Sequence, residues 1–155
     1  MGLLSPGEMI PWCGGSIITS RHILTAAHCT YDIITMDVKV ASSIQVLVGE
    51  HDPTNSVGSL YTISNVKQHP RFNNENGDYD YSILVLTTPM IFSSTVGPVC
   101  LPASTQSLYT DQVATVTGWG HTSPDGIPSS TLQEVNVTVV SNEECSDYYP
   151  GLIKE

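Results

Sequence analysis

What most constrains this chain is a succession of short β-branched runs cut apart by clusters of Gly, Pro, Asn and Asp. The runs lie at residues 16–18, 22–25, 44–48, 61–63, 82–86, 113–117 and 135–140. Val135, Val137 and Val139 alternate with Asn136 and Thr138, a period of two that predicts one face in a core and one in water. Helical periodicity is weak, with single turns predicted only at 26–28 and 142–148. The pattern is all-β. Two passages rich in Ser, Thr and Pro, 93–110 and 122–131, read as loops, the first of which can join two sub-domains. No internal repeat or low-complexity tract is visible.

Composition agrees with a globular chain: 40% of the residues are hydrophobic and 13% charged, too apolar and too weakly charged for intrinsic disorder. The 5 Lys and Arg against 15 Asp and Glu give a net charge of -10, which repels polyphosphates and anionic membrane surfaces. Nucleic acid and membrane are therefore excluded as partners. No apolar run reaches the roughly 18 residues of a membrane span, and residues 1–12 lack the basic flank and hydrophobic stretch of a signal peptide.

The 4 cysteines, Cys13, Cys29, Cys100 and Cys145, contain no C-x-x-C pair, so neither a zinc ribbon nor a thioredoxin-type redox site is expected. Disulfides are. Cys13 and Cys29 close a short loop between two strand-like segments and are the first choice of pair. The 5 histidines show no H-E-x-x-H spacing, so no metal site is predicted from them. Asn136-Val137-Thr138 is a glycosylation sequon set within a strand pattern.

One stretch carries chemistry. It reads Trp12-Cys13-Gly14-Gly15-Ser16-Ile17-Ile18, then Leu24-Thr25-Ala26-Ala27-His28-Cys29, which holds an imidazole between small residues and a cysteine at a strand end. A general base must be fixed in place and titrate near neutrality, and histidine does so unperturbed. The string resembles the segment around the catalytic histidine of trypsin and chymotrypsin-like serine peptidases. Further pieces agree in order: Asp78-Tyr79-Asp80-Tyr81-Ser82-Ile83-Leu84-Val85-Leu86 resembles the family's acidic triad position, Pro98-Val99-Cys100-Leu101-Pro102 its crossover between barrels, and Val116-Thr117-Gly118-Trp119-Gly120 a strand of its second barrel.

The resemblance implies a chymotrypsin-like double β-barrel, with the first barrel over 12–92, a crossover over 93–111 and the first strands of an incomplete second barrel over 112–155. It implies a secreted, extracellular serine endopeptidase acting on protein or peptide substrates, met by protein protease inhibitors and using no cofactor. By the resemblance His28 is the general base and Asp80 its orienting acid. Asp78 competes, because side chains two apart on a strand share a face. Cys100 resembles a cysteine that ties relatives to an upstream module, and Cys145 one whose partner lies downstream. Gly49-Glu50-His51-Asp52 resembles the start of a calcium loop, but the next carboxylate is Glu75, too few charged ligands for a hard cation, and no metal is expected. His51, His69 and His121 are read as structural.

The family's Gly-Asp-Ser-Gly-Gly nucleophile loop is absent from these 155 residues, as is an Ile-Val-Gly-Gly-like terminus. The expectation is a fragment that does not cleave peptides by itself, with residues 112–155 poorly ordered or sticky. The alternative is a non-catalytic homologue that serves as a binding or adaptor module.

Overall fold

The computed structural model describes residues 1–8, 10–52, 58–102 and 109–153. Its strands are β1 (Gly2–Leu4), β2 (Cys13–Gly14), β3 (Ser16–Thr19), β4 (His22–Thr25), β5 (Tyr31–Asp32), β6 (Asp37–Val38), β7 (Gln45–Val48), β8 (Ser59–Gln68), β9 (Ser82–Leu86), β10 (Val113–Gly118) and β11 (Gln133–Thr138), followed by one helix, α1 (Asn142–Tyr148). The chain divides into two compact units, Met1–Cys100 and Leu101–Glu155.

The first unit is built on a sheet of seven strands in the order β2-β1-β7-β8-β9-β4-β3. Its two edge strands, β2 and β3, are neighbours in sequence with only Gly15 between them. A sheet whose outermost strands are joined by one residue has to roll up, and twisted strands make that rolling natural. Gly15 is required there, because a Cβ would lie 2.8 Å from the Leu24 carbonyl oxygen and 3.1 Å from Ile23 Cγ2. Across the seam the Thr25 hydroxyl donates to the Gly14 carbonyl at 2.8 Å. Beside β3, the Val99 N–H donates to the Ile17 carbonyl, which covers an otherwise unpaired edge.

The interior of the roll is filled by Leu3, Ile23, Ile44, Val46, Val48, Leu84 and Leu86, each no more than 2% exposed. Along β9 the burial alternates with period two, so Ser82, Leu84 and Leu86 point inward. The barrel starts at Gly2, ahead of the Trp12 expected from the sequence: β1 pairs with both β2 and β7 and places Leu3 in the core. A run of three residues is too short to show a period, which is why the pattern does not reveal it.

In the second unit β10 and β11 form a two-stranded antiparallel sheet, with Val116 opposite Val135 and Ala114 opposite Val137. The alternation of β11 predicts a buried valine face, yet all six of its residues are exposed. Among the described residues no second layer covers the apolar side of this pair of strands. Two neighbouring edges and bare valines are a template for self-association. Val137→Lys is therefore expected to lower the self-association of the chain measured by light scattering. Because the site is exposed, the thermal transition should move by no more than the roughly 0.5 kcal/mol usual for surface changes. α1 is capped by Ser141, whose hydroxyl accepts from the Glu144 N–H at 3.0 Å.

Candidate active site

His28 opens a single 3-10 turn, His28–Thr30, where the chain leaves β4. The turn is pinned from beneath. The carbonyl of buried Ala27 accepts from the Thr30 N–H at 2.9 Å, the Thr30 hydroxyl at 3.0 Å and the Gln68 side-chain amide at 2.8 Å. Cys29 is joined to Cys13 by a disulfide, which ties the turn to β2. Gln68 ends β8 and lies forty-one positions along the chain from Ala27. No sequence signal marks this partner, because the pairing exists only once the sheet has rolled.

Asp80 approaches from the segment leading into β9 and bridges two groups of one residue. Oδ1 accepts from the His28 backbone N–H at 2.8 Å, and Oδ2 lies 2.7 Å from the ring Nδ1. Burial opposes the charge of Asp80. The hydrogen bonds from the His28 ring and backbone, the charge on that ring and the Ala27 N–H outweigh it and hold the carboxyl below the ordinary aspartate value of 3.8. An ionised carboxylate only accepts, so the proton between the groups belongs to Nδ1, and in the neutral form of the ring the lone pair is on Nε2. Nε2 lies 3.5 Å from Cys29 Sγ, a weak acceptor. His28 remains 59% exposed, so a reactant can reach it from solvent.

The lowered value ties stability to pH. Between the folded value and 3.8 the unfolded chain binds more protons at Asp80, so stability rises with pH through that window. The contribution is complete above 3.8 and lost as pH falls through the folded value. Urea midpoints measured across this acid range should therefore rise more steeply in the native protein than in Asp80→Asn.

Asp78 and Asp80 do not share a face. Strand β9 begins only at Ser82, and between the two aspartates Tyr79 adopts φ +54°, which turns the chain. Asp78 instead belongs to a local turn, in which its N–H takes the Asn76 side-chain oxygen and its carbonyl pairs with the Asn73 N–H.

Cys13, His28 and Cys29 bring three donor atoms within 4.8 Å of one another, but the two sulfurs are bonded to each other and offer no thiolate to a metal. Asn136 lies exposed on β11, where its side-chain oxygen accepts from the Thr115 hydroxyl at 2.8 Å. Cys100 is exposed and unbonded, and Cys145 is unbonded within α1.

A family model described as Trypsin matches residues 4–155. The chain belongs to the trypsin family. It is 38% identical over 155 residues to the venom serine protease of Polistes dominula, a match spanning 96% of this chain and 53% of that protein. It is 33% identical over 144 residues to Trypsin-1 of Salmo salar, spanning 92% of this chain and 54% of the relative. The solved structure of neuropsin, a serine protease expressed in the limbic system of mouse brain, superposes with a TM-score of 0.83 at 27% identity, over 99% of this chain and 65% of that one. The all-β, nearly closed barrel is thus the chymotrypsin-like fold. The trypsin-family chain spans about half the length of the curated relatives it matches.

Proposed function

We propose that this chain forms the base-bearing half of a secreted serine endopeptidase that hydrolyses protein or peptide substrates. The observation that carries the reading is the double bond of one carboxylate to His28, at the backbone N–H and at Nδ1. An imidazole so held presents Nε2 as a proton acceptor and is stabilised as it becomes an imidazolium. A serine hydroxyl gives its proton to Nε2 while its oxygen bonds to the substrate carbonyl carbon. The proton then passes to the departing amine as the C–N bond breaks, leaving an acyl-enzyme. Water repeats the cycle, releasing the acid and restoring the serine.

The nucleophile is assigned to chain outside these 155 residues, in keeping with the length of the relatives. The pocket for the substrate side chain belongs with it. We assign no metal and no cofactor to this chemistry. Glu50, the head of the calcium-like loop, supports this: its Oε1 accepts from the His51 and Asp52 N–H groups and its Oε2 from the Gly58 N–H. A carboxylate surrounded by N–H donors anchors a loop. The rest of that loop, residues 53–57, lies outside the described residues. Secretion is supported by the disulfide and by the venom relative. Among the described residues no helix is long and apolar enough to cross a membrane.

A second reading keeps the trypsin-family fold as a binding or adaptor module, with another residue in place of the serine. An active-site phosphonylating probe separates the two. A version of the protein extended through the nucleophile loop should be labelled at its serine. An extended protein that carries the motif and takes up no label, or one with another residue in its place, overturns the peptidase reading.

A further inference from the structure

Tyr79 and Tyr81 flank Asp80 in sequence, and both of their rings rest on one imidazole. His69 stacks on Tyr79 with centroids 4.7 Å apart and planes 14° apart, and meets the Tyr81 ring at 4.6 Å and 40°. The Arg71 guanidinium stands 4.3 Å over the Tyr79 ring, and the Arg71 N–H donates to His69 Nδ1 at 3.3 Å. The backbone between the rings is tightly bent. The Tyr81 N–H donates to the Tyr79 carbonyl at 2.7 Å, closing a three-residue turn with Asp80 at its centre, and the His69 N–H donates to the Tyr81 carbonyl at 3.1 Å. Tyr79 sits at φ +54°, in the left-handed region that residues with a Cβ avoid. Such a conformation persists only where its surroundings over-determine it. Since Tyr79 is 37% and Tyr81 47% exposed, burial in the core is not what fixes them. The ring stack is.

We propose that His69 is a positioning residue for Asp80: its ring, gripped by the tyrosines on either side of the aspartate, holds the tight turn that aims the carboxylate at His28. The catalytic meaning of this clamp rests on the peptidase reading, but its geometry does not. The rival account is that the turn through Asn73, Asn76 and Asp78 shapes the segment unaided.

The test uses the full 155-residue chain and nuclear magnetic resonance, which needs no nucleophile. Two readouts report on Asp80: the downfield proton of the His28 Nδ1 hydrogen bond, and the titration of the Asp80 carboxyl carbon. His69→Ala should lose the downfield proton and move the carboxyl titration up toward the ordinary aspartate value. His69→Phe, which keeps a flat ring between the tyrosines, should retain both. An unchanged His69→Ala overturns the proposal in favour of the 73–78 turn, and a His69→Phe as damaged as His69→Ala shows that ring stacking is not the cause. Amide signals of Ile23 and Leu84 report whether the barrel is intact. If His69→Ala unfolds it, Tyr79→Asn and Tyr79→Phe carry the same comparison, because asparagine accepts the left-handed backbone without supplying a ring. A failure of the peptidase reading would appear in the probe experiment and leave these signals unmoved.

Discussion

Replacing His28 by alanine, in a version of the protein that carries the serine, is expected to lower turnover of a peptide substrate by about 100- to 10,000-fold, the range for a positioned general base. The change removes the proton acceptor and leaves the barrel intact, since His28 is 59% exposed and contributes little to the core. KM should change much less than kcat, because proton transfer belongs to the transition state and not to substrate binding. Asp80→Asn acts through the same imidazole. Added to His28→Ala it should cost little more, since two members of one unit do not contribute independently. Steady-state kinetics on the two single variants and the double variant would check this. A loss below about tenfold for His28→Ala, or full additivity of the pair, would remove His28 from the role given to it.

Leu84→Ala should have the largest effect on the fold itself, a loss of about 2–5 kcal/mol. Leu84 is fully buried in β9, a strand bonded on one side to β8 and on the other to β4, so the void it leaves is walled by strands that cannot readily collapse. Against a usual domain stability of about 5–15 kcal/mol, that is a large share. The same strand leads out of the Asp80 turn, so a slackened β9 should also blunt the acid-range slope assigned to Asp80. Urea unfolding of Leu84→Ala measures the first effect directly. Ile91→Ala serves as control, because Ile91 is 83% exposed and its truncation should stay within about 0.5 kcal/mol.

Where a segment's period and its punctuation agree, the chain announces its own structure. The runs 22–25 and 82–86 coincide with β4 and β9, and where a single turn is expected at 142–148 the chain forms the seven-residue helix α1. The helix starts at a serine able to cap it. The 26–28 turn lies slightly early: the 3-10 turn is His28–Thr30, with Ala27 as its N-cap, whose carbonyl accepts from the Thr30 N–H. The short pairs β2, β5 and β6 and the three-residue β1 escape notice, since two or three residues carry no period. The valine alternation of β11 reads correctly as a strand but wrongly as a half-buried one: burial needs a second layer, which alternation cannot supply.

The candidate site divides in the same way. By itself the sequence determined the class of elements, the small residues that crowd His28 and the presence of an acidic residue ahead of an apolar strand, because these are properties of neighbours along the chain. The family resemblance pointed to Asp80 over Asp78, but only the tertiary structure decided how the Asp80 carboxylate bridges the His28 ring and backbone, that Gln68 braces Ala27, and that His69 lies between two tyrosines. Those outcomes depend on where Gly15 lets the sheet close and on how Tyr79 bends the backbone, and contacts between residues some fifty positions apart exist only after the roll has formed.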